Sequence, residues 1–142
     1  MIIMDIEASG LSDESYPIEI AWKSVDGSLQ DEFLIRPAND WTYWDGIAAE
    51  LTHNLTIDDL KERGISVRTA AERLNDKLRN EMVMSDGINW DTFWITKLFS
   101  RAGFKQQFEL LPLPSIETRN VYRKHRAMAD VNDLIAIHRV VQ

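Results

Sequence analysis

Three strand patterns precede the first helical pattern, and this order restricts the fold more than any other property of the chain. Met1–Ile6 is apolar, whereas Pro17–Val25 and Leu29–Arg36 alternate between apolar and polar residues. Asp26 and Gly27, between the last two segments, are typical of a tight hairpin turn. The sequence therefore predicts an antiparallel meander of three strands at its start.

Helical and strand patterns alternate through the rest of the chain. In order they are short helices at Ile47–Leu51 and Ile57–Arg63, an amphipathic helix at Ser66–Asn80, a strand at Glu81–Ser85, a helix at Trp90–Ala102, an extended loop at Leu110–Pro114, a strand or turn around Ile116 and Val121-Tyr122, and a final helix at Arg126–Val141. A meander followed by βα alternation predicts an α/β fold with a mixed sheet flanked by helices.

Length and composition exclude several classes of protein. A chain of 142 residues predicts one domain, residues 1–142. With no cysteine, it cannot be a disulfide scaffold, a thiolate zinc site or a cysteine-nucleophile enzyme. Since no apolar run approaches the ~20 residues of a membrane span and the N-terminus lacks a basic flank, we expect no membrane association and, by default, a cytoplasmic location.

Net charge limits how the chain can approach nucleic acid. Its 16 basic and 23 acidic residues give a formal net charge of −7, which repels long polyanions at a distance. A nucleic-acid substrate would therefore need a local attraction, either a basic strip or bound divalent cations.

Two carboxylates lie two residues apart in the first predicted strand. Strand geometry places Asp5 and Glu7 on one face, among apolar neighbours such as Ile6. Like charges held close together in apolar surroundings favour a bound cation, and oxygen ligands favour Mg²⁺ or Mn²⁺. The alternative, a solvated pair at a strand end, remains open at this point.

The beginning of the last predicted helix carries a second candidate pair. His125 precedes this helix and Asp130 lies in its first turns. A helix N-terminus favours a carboxylate for structural reasons alone, and His125, between Lys124 and Arg126, is also compatible with an ordinary surface histidine.

These segments carry a resemblance to a known family. The run Asp5–Leu11 resembles the first motif of the DnaQ-like DEDDh 3′→5′ exonucleases, and His125-x4-Asp130 resembles their third. Asp91, which follows Trp90 after a predicted strand, is similar to the aspartate of the second motif. The resemblance spans nearly the whole chain and implies an RNase H-like fold.

The chain departs from the family pattern at two positions. Ala8 stands where the family often has threonine, and Trp90 stands at the aromatic position of the second motif. Asp86 competes with Asp91 for the metal role. We prefer Asp91, because Asp86 is expected in the turn after the strand.

The resemblance implies a two-metal phosphodiester hydrolase. The metal ligands would be Asp5, Glu7, Asp91 and Asp130, with Asp5 bridging two Mg²⁺ or Mn²⁺ ions, and His125 would be the general base. Nucleoside 5′-monophosphates would be released from a 3′ end. Substrate contacts are expected from the turn after the first strand, from an aromatic residue and from a basic cluster: Ala8, Ser9, Leu11, Trp90 and Arg123, the last with Arg119, Lys124 and Arg126.

Several questions stay open at the level of sequence. The expected partners are single-stranded nucleic acid or short oligonucleotides, RNA or DNA, and the family resemblance allows a homodimer. The roles of Trp41, Trp44 and His53 are undetermined. Alternatives are a proofreading subunit that works beside a polymerase, a catalytically silent nucleic-acid-binding module and an RNase H-type endonuclease.

Overall fold

A computed structural model describes residues 1–113 and 126–141, with side chains of the last helix described to residue 138. The strands are β1 (Ile2–Ala8), β2 (Pro17–Ser24), β3 (Gln30–Leu34), β4 (Met82–Ser85) and β5 (Glu109–Pro112). The helices are α1 (Gly46–Leu51), α2 (Ile57–Arg63), α3 (Val67–Leu78), α4 (Ile88–Ala102) and α5 (Ala127–Val141). Within the described ranges, no helix has the length and hydropathy that crossing a bilayer requires.

The five strands form one mixed sheet in the order β3-β2-β1-β4-β5. β1 pairs with β2, and β2 with β3, both in antiparallel orientation. The turn between β2 and β3 contains Gly27, which has a positive φ of 79°. β4 pairs in parallel with β1 on one side and with β5 on the other. The predicted meander and mixed sheet are confirmed.

The fifth strand is the main difference from the sequence prediction. Glu109–Pro112 forms β5, although we predicted an extended loop at Leu110–Pro114. Pro112 has no N–H to donate, but β5 is an edge strand, where a missing N–H need not interrupt the sheet. The strand or turn predicted around Ile116 and Val121-Tyr122 lies outside the described residues.

Helix ends follow the capping signals of the sequence. Thr56 begins α2 in a capping box, in which its hydroxyl accepts from the Asp59 N–H and the Asp59 carboxylate accepts from the Thr56 N–H. Ser66 caps α3, and Gly103 ends α4 in a left-handed conformation. The helices therefore have the positions that local sequence predicts, to within a few residues.

Alternate residues of β1 face two different layers. Ile2, Met4 and Ile6 belong to the larger core, where α3 and α4 pack on the sheet. Ile3 belongs to a smaller core under α5. Because strand side chains alternate, Asp5 and Glu7 share the α5 side with Ile3. The helix that carries Asp130 thus covers the face that carries the two acids.

Candidate active site

Three carboxylates come together where β1 meets the first turns of α5. Each of Asp5, Glu7 and Asp130 offers an oxygen, and these oxygens all lie within 4.8 Å of one another. All three residues are buried, Asp130 completely. The predicted proximity of the strand pair to the helix aspartate is therefore present in the fold.

Electrostatics at this cluster favour a bound cation. Burial and, after it, the neighbouring Asp130 carboxylate raise the pKa of Glu7 to about 9, against a smaller opposing effect of Asp5. Without a cation, Glu7 therefore holds a proton at neutral pH. A divalent cation would displace that proton, and an all-oxygen set of buried carboxylates fits Mg²⁺ or Mn²⁺.

The fourth predicted ligand, Asp91, lies in the first turn of α4. It is buried, and its Oδ2 accepts a short hydrogen bond from the hydroxyl of the fully buried Ser85. The Ser85 Oγ in turn accepts from the Gly87 N–H at 3.2 Å. Asp91 is therefore held in place from the end of β4, a support that we did not predict.

A cavity of about 320 Å³ joins these groups. Seven of the predicted site residues line it: Asp5, Glu7, Ala8, Leu11, Trp90, Asp91 and Asp130. Asp86, the rival of Asp91, lines it too and is only partly buried. The cavity thus brings together residues from β1, the loop after it, α4 and α5.

Apolar side chains form part of the cavity wall. Leu11 is 70% exposed, whereas Trp90 is half-buried, with its ring stacked on that of Trp94 at 5.4 Å between centroids. Ser9, also predicted to contact substrate, is buried, and its hydroxyl accepts from the Tyr16 N–H at 3.1 Å. Its contact with substrate stays a prediction.

Gly10 lets the loop after β1 pass close to an aromatic ring. A Cβ at this position would approach the Tyr43 Cε1 to 2.6 Å and the Asp45 Cβ to 3.1 Å. The Asp45 N–H also donates to the Ser9 carbonyl at 2.9 Å. This close packing sets the course of the loop that presents Leu11 at the cavity.

Trp41, Trp44 and His53, whose roles the sequence left undetermined, each pack against another aromatic ring. Trp41 is buried and stacks on Tyr16 at 5.4 Å. His53 is buried against the edge of Trp44, and its Nδ1 accepts from the Leu55 N–H at 2.9 Å. Burial lowers the pKa of His53, so its imidazole is neutral at physiological pH.

Sequence reasoning missed Glu19, which is buried on β2 directly opposite Glu7. Its carboxylate accepts from the Arg126 guanidinium and from the Ala127 N–H at the start of α5. The available signal was an acid between two isoleucines of an apolar strand, the same signal that singled out Asp5. Arg126, which we expected beside substrate phosphates, has its guanidinium on Glu19.

Other predicted residues lie outside the described ranges. These are the predicted general base and three members of the basic cluster: His125, Arg119, Arg123 and Lys124. Their roles stay predictions.

The sheet order and the helices on both faces define a mixed α/β fold. No family model matches the chain, and no curated protein matches it in sequence. Solved structures do. Exonuclease I of Methylocaldum szegediense aligns with a TM-score of 0.80 at 14% identity, covering 99% of this chain and 39% of that one.

Two structures of E. coli exonuclease I are similarly close. The complex with a dT13 oligonucleotide has a TM-score of 0.75 at 16% identity and covers 99% of this chain. A zinc-bound complex with single-stranded DNA has a TM-score of 0.76 at 16% identity and covers 96%. This chain spans about two fifths of each, 40% and 39% respectively. The likeness establishes the shared fold.

Proposed function

We propose that the chain is a metal-dependent 3′→5′ exonuclease that acts on single-stranded nucleic acid and releases nucleoside 5′-monophosphates. The observation that carries this proposal is the buried cluster of Asp5, Glu7 and Asp130, with Asp91 on the same cavity. The similar fold of exonuclease I, solved with single-stranded oligonucleotides, supports the same substrate class.

The four carboxylates are the proposed holders of Mg²⁺ or Mn²⁺. When bound, such ions lower the pKa of a coordinated water and stabilise the leaving oxygen of a phosphodiester. The carboxylates themselves repel phosphate, and the chain carries a net charge of −7, so a metal-free site opposes substrate binding. Metal dependence therefore follows from the same charges that create the site.

Asp5 would hold the metal together with Glu7 and Asp130, because its carboxylate lies beside theirs and lines the cavity. Glu7 must release its proton before it can bind a cation, which the raised pKa opposes. His125 is proposed as the general base, because imidazole is the side chain suited to proton transfer near neutral pH.

The shape of the cavity favours one unpaired nucleotide at a time. Its volume of about 320 Å³ is at the lower end of the ~300–1,000 Å³ typical of small-molecule pockets. Leu11 and Trp90 offer apolar surface to a base, and stacking on an aromatic ring contributes ~1–3 kcal/mol per base. One unpaired nucleotide at a chain end is therefore the proposed occupant of this cavity.

A time course with 5′-labelled single strands tests the proposal. Matched RNA and DNA oligonucleotides are incubated with Mg²⁺, Mn²⁺ or EDTA, and we expect a ladder that shortens from the 3′ end only when metal is present. The same assay compares Asp91→Asn with Asp86→Asn. We expect the first variant to lose most activity and the second to lose much less.

The alternative functions give different products. Internal cuts would indicate an endonuclease. Metal binding without cleavage of either strand would contradict the proposal and favour a silent binding module or an enzyme that requires a partner. Equal losses in Asp91→Asn and Asp86→Asn would contradict the choice of Asp91 as the ligand.

A further inference from the structure

Glu19 and Arg126 form a bidentate ion pair at the edge of the carboxylate cluster. The Arg126 Nε lies 3.0 and 3.1 Å from the two Glu19 oxygens, and its Nη2 lies 2.7 Å from Oε2. The Ala127 N–H donates to Glu19 Oε1 at 2.9 Å. Glu19 is 4% exposed, and both of its oxygens are occupied.

This ion pair connects β2 to the helix that supplies Asp130. Glu19 caps α5 from outside, because it accepts from the N–H of the first helical residue. The Asp130 N–H then donates to the Arg126 carbonyl at 3.0 Å, one turn along. Arg126 is therefore bonded to the sheet through its side chain and to Asp130 through its carbonyl, and this positions the turn of α5 that carries the Asp130 carboxylate.

The register of the sheet places this connection beside the metal ligands. Glu19 pairs with Glu7 across β1 and β2, so both side chains lie on the face that α5 covers. Glu19 adds a fourth buried carboxyl group next to Asp5, Glu7 and Asp130. Arg126 neutralises the Glu19 charge, and its fork occupies oxygens that would otherwise compete for a cation.

We propose that Glu19 and Arg126 are positioning residues for the metal site. They hold the start of α5 where Asp130 meets Asp5 and Glu7, and they keep the Glu19 carboxylate out of the coordination shell. This inference rests on the proposed function, since it assigns the Glu19–Arg126 ion pair, a clamp on the start of α5, to the same carboxylate site. It also assigns Arg126 a role other than contact with substrate phosphates.

Conservative variants of the full chain test the clamp. Arg126→Lys keeps the charge but loses the fork, and Glu19→Gln keeps an acceptor for the Ala127 N–H but loses the charge. For both we expect Mn²⁺ affinity, measured by calorimetry with the metal alone, to fall by about 10-fold or more, as for other residues that support metal ligands. We expect kcat to fall by ~10–100-fold, with KM within about 3-fold of wild type.

A second bidentate pair provides the matched control. The Arg73 Nε donates to Asp31 at 2.7 Å between α3 and β3, away from the carboxylate cluster. Arg73→Lys removes the same kind of fork, so we expect a similar change in Tm without a change in Mn²⁺ affinity or kcat. All measurements are made well below the Tm of each variant, with circular dichroism confirming the fold.

Three results would overturn the inference. If Arg126→Lys and Glu19→Gln lower Tm but leave Mn²⁺ affinity and kcat unchanged, the ion pair is only structural. If Arg126→Lys raises KM and leaves kcat unchanged, Arg126 contacts substrate. If the wild type binds no Mn²⁺, the proposed function fails together with the clamp, whereas a wild type that binds Mn²⁺ without cleaving still tests the clamp through affinity.

Discussion

The two faces of the central sheet differ in the side chains that they bury: one face is apolar, and the other carries carboxylates. On the side of α3 and α4, β1 contributes Ile2, Met4 and Ile6 to a large apolar core. On the side of α5, the next residues along the strand include Asp5 and Glu7, and the apolar core there is small. Stability and chemistry are thus separated by the two-residue period of one strand.

This difference shows that electrostatic repulsion between carboxylates is confined to the α5 side of the sheet, whereas the α3–α4 side supplies most of the apolar burial. Burial of apolar side chains on the α3–α4 side stabilises the fold by roughly 25 cal/mol per Å² of buried surface. The α5 side holds carboxylates that repel one another until a cation or proton neutralises them. Variants on the two faces should therefore separate loss of fold from loss of activity.

The largest effect on activity is expected for Asp5→Asn, which removes one carboxylate of the cluster under α5 and leaves the larger apolar core unchanged. We expect activity to fall by about 10³-fold, equal to about 4 kcal/mol of transition-state stabilisation. Because a buried carboxylate charge is removed beside Asp130, the Tm in EDTA should equal or exceed that of wild type.

Exposed Asp76 on α3 supplies the control for this prediction. Asp76→Asn removes the same charge far from the cluster and should retain full activity in the oligonucleotide assay. Near-wild-type activity in Asp5→Asn would contradict the metal assignment of this residue.

Leu74→Ala is the corresponding change in the apolar core. Leu74 is fully buried on α3, and truncating such a side chain lowers the free energy of unfolding by about 2–5 kcal/mol. Urea unfolding measures this loss. At temperatures where the variant is folded, Mn²⁺ affinity should match wild type; a loss of affinity as large as that of Asp5→Asn would show that the two faces are not independent.

Ser85→Ala tests the support of Asp91 at the boundary between the faces. Losing the hydroxyl that donates to Asp91 should lower kcat by ~10–100-fold, as observed for residues that orient metal ligands. Ser24→Ala, which removes a buried hydroxyl bonded to Asp26 in the hairpin, is the matched control. Equal kcat values for the two variants would leave Ser85 without a role in orienting Asp91.

Glu7 should make the stability of the protein in EDTA depend on pH. The pKa of Glu7 is raised from 4.5 to about 9, so the folded state binds more protons than the unfolded state between these values. The contribution of Glu7 to stability is therefore complete below about pH 4.5 and declines as pH rises toward 9. Tm measured from pH 5 to 9 should fall more steeply for wild type than for Glu7→Gln, and parallel curves would contradict the assignment.

Local sequence predicted the elements of the fold well. Alternation predicted β2 and β3, the Asp26-Gly27 turn predicted their hairpin, and the spacing of apolar residues predicted α3. These signals act over a few residues, so they do not depend on the rest of the chain. β5 was missed because its short apolar run depends on pairing with β4, which local pattern does not report.

Short-range sequence signals also predicted part of the candidate site. Period-two spacing placed Asp5 and Glu7 on one face, and family resemblance added Asp91 and Asp130. The supports were not predicted: Ser85 and Glu19 have no local signal for the partners they contact, which are 6 and 107 residues away. Such contacts depend on which elements the fold brings together.

The sequence by itself determined the α/β class, the mixed sheet, the placement of Asp5 and Glu7 on one face of β1 and the absence of cysteine chemistry, because composition and short-range periodicity dictate these properties. Only the tertiary structure decided that β1 and α5 bring Asp5, Glu7 and Asp130 within 4.8 Å, and that Arg126 binds Glu19. The physical reason is register: side-chain distances between remote segments depend on strand pairing and helix packing, which no short stretch of sequence encodes.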